Sequence, residues 1–335
     1  MKLFLNAILI VLLVSSLISC SSRNDHNKVQ VKDSAAIAAK DTTPLAPVVD
    51  TGLYDQKMKE LANGDSSGRW PPKAIYPGEG AILPFKRIVA FYGNFYSKGM
   101  GVLGQYPLPQ VVEKLRAELS AWEMADTTTP VIPAIHYIAV TAQPCKIVTG
   151  KCILRMPDAQ IDKAVDLAAQ VKGIVFLDIQ IGQSTVQQEI PLLKKYLLMP
   201  QVHLGIDPEF AMQAGHSPGT AIGTLDAADI NYAVAYLASL VKEYNLPPKI
   251  LVVHRFTNPM LTNYKKITAC KEVQVVINMD GFGMPDKKKS TYYYSIYKEP
   301  VQFTGFKLFY ENDKQLMTPA EILKLKPQPV YIQYQ

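Results

Sequence analysis

Residues 174–182 read IVFLDIQIG and residues 202–210 read VHLGIDPEF. Each is a short apolar run that stops on polar residues, Asp178 with Gln180 in the first and Asp207 with Glu209 in the second. The pattern returns in ILVVHR, which reaches His254 and Arg255, and in VVINMDG, which reaches Asp280. Continuous apolar runs bounded by turn signals predict strands buried on both faces, as parallel sheets require. Reactive groups of parallel α/β proteins gather where such strands end. Working outward, IVAFYGN (88–94) and VIPAIHYIAV (131–140) precede these runs, and GFKLFY (305–310) and PVYIQYQ (329–335) follow them.

Helical periodicity fills the gaps. Residues 107–124 place Val111, Leu115, Leu119 and Trp122 on one face, and a second helix starts at Pro157, carrying Ile161, Val165 and Leu167. A third is predicted over 186–198, a fourth over 227–244 with Ile230, Val234, Leu237 and Val241 aligned, and a short one over 319–325. The alternation predicts an α/β chain whose residues 87–335 form one (β/α)8 TIM barrel, with its active site on the C-terminal rim. An open doubly wound sheet is the alternative. It lacks a glycine-rich phosphate turn, since GMGVLG (99–104) lies in a long loop and does not fit that pattern.

The chain begins MKLFLNAILIVLLVSSLISC, a charged start followed by an apolar core that predicts an export signal over residues 1–19. Leu17, Ile18, Ser19 and Cys20 resemble a bacterial lipobox closely. That resemblance implies lipid on Cys20 after cleavage, with the membrane as a partner through that lipid. Ser21 and Ser22, with no Asp beside Cys20, point to the outer membrane of the cell envelope. Residues 20–49 are polar and Ala/Thr-rich and read as a flexible tether. Residues 50–86, punctuated by Pro71, Pro72, Pro77 and Pro84, read as a lead-in packed on the barrel, with a helix between Leu53 and Leu61.

The net charge of +6 is modest, and Lys287, Lys288 and Lys289 read as a solvated loop. Together with export, this argues against a nucleic-acid partner. Cys145 and Cys152 are expected to close a loop as a disulfide in an oxidising compartment, leaving Cys270 over.

Side chains two apart on a strand share a face. Asn94, His136, Asp178 with Gln180, Asp207 with Glu209, His254, Asn278 with Asp280, Lys307 and Gln333 keep one parity, above Ala90, Ala134, Phe176, Gly205, Val252 and Val276 as barrel filling. On an extended strand Asp207 and Glu209 would stand about 7 Å apart. Close carboxylates separate in pKa, which suits one to donate a proton.

The D-x-E pattern on a barrel strand resembles retaining barrel glycosidases of the chitinase-like and family-25 lysozyme-like groups. The chain as a whole resembles bacterial barrel lipoproteins. The first resemblance implies hydrolysis of a glycosidic bond, with Glu209 as general acid, Asp207 as its partner, and Asp178 and Asp280 assisting. A carbohydrate or peptidoglycan ligand would then meet Tyr92, Asn94, His136, Gln180, His254, Arg255, Lys307 and Tyr331. The chain departs from those groups in lacking DxxDxDxE, in offering Asn94 where family-25 lysozymes begin with Asp, and in Pro208.

Such chemistry needs no cofactor. The alternative is a divalent metal held among His136, Asp178, Asp207, Glu209, His254 and Asp280 for metal-assisted hydrolysis, although HxH and HExxH are both absent. Lys307 offers either an imine-forming amine or, with Arg255, charge balance for the carboxylates. A non-catalytic glycan- or protein-binding lipoprotein remains a third reading.

Overall fold

A computed structural model describes residues 49–335 except 74, 147–149 and 213–214. The expected signal peptide, Cys20 and all of the 20–49 tether but its last residue lie outside the described residues. Among the described residues no helix is long and apolar enough to cross a membrane.

Eight parallel strands form a closed barrel: β1 (Arg87–Gly93), β2 (Val131–Ala142), β3 (Ile174–Ile179), β4 (Val202–Ile206), β5 (Lys249–Arg255), β6 (Val273–Met279), β7 (Phe303–Leu308) and β8 (Tyr331–Tyr334). They neighbour one another in chain order, and β8 closes on β1 with Ile88 opposite Tyr331. A short strand, Ile153–Arg155, adds antiparallel to the end of β2. Every residue of β1, β5 and β6 is buried. This is why these strands read as unbroken apolar runs rather than alternating ones.

The lead-in closes the barrel from below. Helix α1 (Thr51–Leu61) is capped by Asp50, whose carboxylate accepts from Leu53 N at 2.9 Å. Its Tyr54 and Met58, with Leu83, pack on Ile88, Ala90, Ala134, Ile174, Phe176, Ile250, Val252 and Val276, the inward residues at the strand starts. The apolar filling expected below the polar rim is therefore present, sealed by residues that precede the barrel.

Around the outside, α2 (Leu108–Ala125) buries Val111, Leu115 and Trp122, and α3 (Asp158–Gln170) begins just after Pro157. α4 (Ala227–Tyr244) has a capping box from Asp226 and Asp229 and ends at Asn245 in the left-handed region. Two crossovers depart from expectation. The predicted 186–198 helix is split into Val186–Glu189, a 3-10 turn Ile190–Leu193 and Lys194–Leu197, because Pro191 has no N–H to continue the ladder. Lys287, Lys288 and Lys289, read as a solvated loop, lie on helix α5 (Pro285–Tyr292), continued by a π turn over Tyr293–Tyr297. Lys288 on α5 is buried, donating to Asp313 Oδ2 and to the Lys307 carbonyl, both at 2.7 Å.

Cys145 and Cys152 form the expected disulfide, and Cys270 is the free cysteine among the described residues.

Candidate active site at the C-terminal rim

The parity of the strand ends sets the site. Inward positions fall in register across the barrel: Tyr92 beside His136, Asp178 beside Gly205, Gly205 beside Val252, His254 beside Asn278, and Lys307 beside Gln333. A polar layer therefore lies above the apolar filling, at the depth where β3 and β5 end.

Asp178 is the centre of that layer. Its Oδ2 accepts from the Tyr92 hydroxyl at 3.0 Å, while its Oδ1 lies 3.3 Å from His136 Nε2 and 3.6 Å from His254 Nε2. His136 Nδ1 and the Tyr331 hydroxyl share a 2.6 Å hydrogen bond, and Tyr331 accepts from Gln333 Nε2. His254 Nδ1 meets Asp280 Oδ2 at 2.9 Å. Lys307 Nζ straddles the Asp280 carboxylate, 3.0 Å from Oδ1 and 3.1 Å from Oδ2, and stands 3.9 Å from the Tyr92 ring centre. His136, Asp178 and His254 have no exposed surface.

Burial and charge compete at each group. Burial would raise the Asp178 carboxyl, but His254 and His136 hold it well below the usual carboxylate range. Burial opposes charge on His254, yet Asp178 and Asp280 raise its pKa to about 10. His136 is lowered to about 4, chiefly by burial, and is neutral near pH 7. Burial pushes against ionisation of Asp280, and Lys307 and His254 outweigh it. Two carboxylates and two cations thus balance inside the barrel.

Above this layer opens a cleft of about 650 Å³. Tyr92, Gln180, Asp207, Glu209, Asp280 and Lys307 line it, all named from sequence. Phe210, Phe256, Phe282 and Phe309 make it aromatic. Asp207 is buried, and its pKa rises to about 8: burial is the largest cause, opposed by His254 and reinforced by Asp178, Asp280 and Glu209. Glu209 is also raised, by burial and then by Asp280.

The local geometry of D-x-E differs from the expected one. β4 stops at Ile206, and Pro208–Phe210 form a 3-10 turn capped by Asp207, which accepts from Glu209 N at 3.2 Å. The fixed φ of Pro208 and the Asx cap turn the chain, so the extended spacing of two strand residues does not apply. Both carboxylates still reach the cleft.

Five expected ligand-contacting residues sit elsewhere. His136, His254 and Tyr331 lie beneath the cleft, in the buried layer. Asn94 ties the turn after β1, donating to the Ile138 carbonyl at 2.9 Å and accepting from Tyr96 N at 2.9 Å. Arg255 is corrected outright: it follows His254 and so faces out of the barrel, where its guanidinium binds the carbonyls of Ser295, Asn258 and Leu261 and pairs with Glu299. It cannot offset the rim carboxylates. Lys307 does so alone among the two cations proposed.

Sequence reasoning missed Phe256, Phe309 and Lys287 as cleft residues. Pro285, at the first turn of α5, is the signal that would have placed Lys287 on a helix rather than in a loop. Among the described residues one group of metal-capable side chains converges closely enough to share an ion, His136 with Asp178 and His254.

No protein-family model matches the chain, and comparison with curated protein sequences finds no relative.

Proposed function

We propose that the rim cleft hydrolyses a glycosidic bond by carboxylate acid–base chemistry, in a protein held at the cell envelope, on its outer membrane, through lipid on Cys20. The observation that carries this reading is that Asp207, Glu209 and Asp280 open on one aromatic-lined cleft, while Lys307 neutralises only Asp280. Aromatic faces suit the apolar faces of sugar rings. A hydrolase of glycosides needs one carboxyl that keeps its proton and another that does not.

Asp207 supplies the first. Its proton passes to the glycosidic oxygen as the bond to the anomeric carbon breaks. Asp280, an ion pair with Lys307, faces the positive charge that develops on the ring. Water then attacks the anomeric carbon, and its proton passes to Glu209. This moves the donor role from Glu209 to Asp207, the more deeply buried of the two.

Release of reducing sugar from peptidoglycan and a polysaccharide panel tests the reading, with full-length wild type set against Asp207→Asn and Glu209→Gln. Turnover by wild type and a loss of about 10²-fold or more in Asp207→Asn are expected. Retained oligosaccharide binding with no turnover by wild type would identify a glycan-binding lipoprotein instead.

A further inference from the structure

We propose that His136 Nε2, Asp178 Oδ1 and His254 Nε2 form a binding site for a first-row divalent cation, zinc being the best fit, beneath the floor of the cleft. The inference does not rest on the hydrolytic reading.

Three observations carry it. First, these three atoms lie within 4.8 Å of one another, at 3.3 and 3.6 Å for the two histidine–aspartate pairs. Ligands arranged tetrahedrally at about 2.0–2.1 Å from zinc stand about 3.3–3.4 Å apart. Second, each of the three atoms is buried and makes no hydrogen bond of good geometry, its only polar neighbours being the other members of the set at 3.3 and 3.6 Å. Buried polar atoms without a hydrogen bond are rare in protein interiors, and a shared ligand would satisfy all three of these, which lie within 4.8 Å of one another. Third, the other atom of each group is already engaged: Tyr331 on His136 Nδ1, Asp280 on His254 Nδ1, Tyr92 on Asp178 Oδ2. Outer partners of this kind fix ring orientation and leave Nε2 for the metal.

Gly205 makes the convergence geometrically feasible. A Cβ there would stand 2.4 Å from Asp178 Oδ1 and 2.5 Å from His136 Nε2. No other residue type would leave both ligand atoms their present positions. The set of two imidazoles and one carboxylate suits zinc, manganese, iron or cobalt rather than calcium or magnesium, which prefer all-oxygen shells. Tyr92 and Asp280 line the cleft directly above, so the ion enters from there. With an ion in place His254 binds as neutral imidazole, its Nδ1–H still donated to Asp280, and the cation takes over the charge balance that a histidinium otherwise supplies.

The test uses the full-length chain, stripped with chelator and titrated separately with Zn²⁺, Mn²⁺ and Co²⁺ by calorimetry. One equivalent should bind, with zinc tightest, and zinc should raise the unfolding temperature. Asp178→Asn and His254→Gln should each weaken binding about 100-fold or more, and Asp280→Asn about 10–100-fold through the outer shell. Should the ligand variants fail to fold, the wild-type Co²⁺ form supplies a second reading. Its proton spectrum should hold two hyperfine-shifted imidazole N–H signals, one per histidine. No stoichiometric uptake of any of the three ions, unchanged affinity in folded Asp178→Asn, or a Co²⁺ form without shifted imidazole signals would each overturn the site. None of these readouts involves turnover, so failure of the glycosidase reading leaves them intact.

Discussion

Gly205 on β4 stands directly opposite Asp178 on β3, and a Cβ at position 205 would lie 2.4 Å from the Asp178 carboxylate. Real Cβ atoms do not approach an oxygen so closely, so Gly205→Ala must displace Asp178, His136 or the strand itself. Overpacking of this kind costs about 1–3 kcal/mol. Denaturant unfolding of Gly205→Ala should show a loss in that range, together with a disturbed Tyr92–Asp178 contact visible as a changed tyrosine absorbance. An unchanged midpoint would mean that the floor of the cleft has slack which its close packing does not suggest.

Lys288 and Asp313 form a second buried pair, both without exposed side-chain surface. Burial lowers the Lys288 pKa, and the Asp313 carboxylate offsets only part of that. Removing one partner leaves an uncompensated interior charge, a loss of about 3–5 kcal/mol. Asp313→Ala should therefore destabilise strongly. The double variant Asp313→Ala with Lys288→Met should regain part of the loss, because Lys288 already lies over the rings of Phe306 and Phe309. Only part returns, since Asp313 also accepts from Gly283 N and Phe309 N. A double variant no more stable than the single would show that the backbone contacts, not the charge, carry the effect.

The Cys145–Cys152 bridge closes a short loop beside the end of β2. Its neighbours are tied to the barrel: Cys152 O accepts from Gln143 N and Lys151 O from Gln183 N, both at 2.8 Å. Restricting the unfolded chain over so short a loop contributes about 2–3 kcal/mol in the chain-entropy account. Replacing both cysteines with serine should lower stability by that amount and leave the circular dichroism of the barrel unaltered. A stability equal to wild type would assign the loop's order to its backbone hydrogen bonds alone.

The fold was legible because burial on both faces leaves a strong mark: the eight strands read as apolar runs, and the same-face parity of Asp178, Asp207, His254, Asp280 and Lys307 followed from a period of two. Arg255 was misread where that rule was set aside, since a neighbour of an inward His254 must point outward. Lys288 was misread because charge alone suggests solvent, while its partner Asp313 lies 25 residues on. Depth was the least legible quantity. His136 and Gln180 share a face by sequence, yet one is sealed under the cleft and the other lines it. The difference depends on where each strand ends against its neighbours, a property of register rather than of any single segment.

Asp207 gives the cleft a pH dependence of definite sign. Its folded pKa of about 8 lies above the ordinary carboxyl value of 3.8. The folded protein therefore holds the Asp207 proton more tightly than the unfolded chain does. Its contribution to stability is most favourable below about pH 4, is lost progressively between pH 4 and 8, and stands as a full penalty above pH 8, with a slope of at most about 1.4 kcal/mol per pH unit. Asn at 207 keeps the acceptor for Glu209 N and removes the titration. Unfolding of chelator-treated Asp207→Asn should thus show a gain over wild type at pH 9 that shrinks steadily toward pH 4. In wild type the same deprotonation should impose an alkaline limb near pH 8 on kcat/KM, because the donor of the proposed reaction is then empty. A stability gap that does not vary with pH would place the Asp207 proton elsewhere and remove it from the acid role.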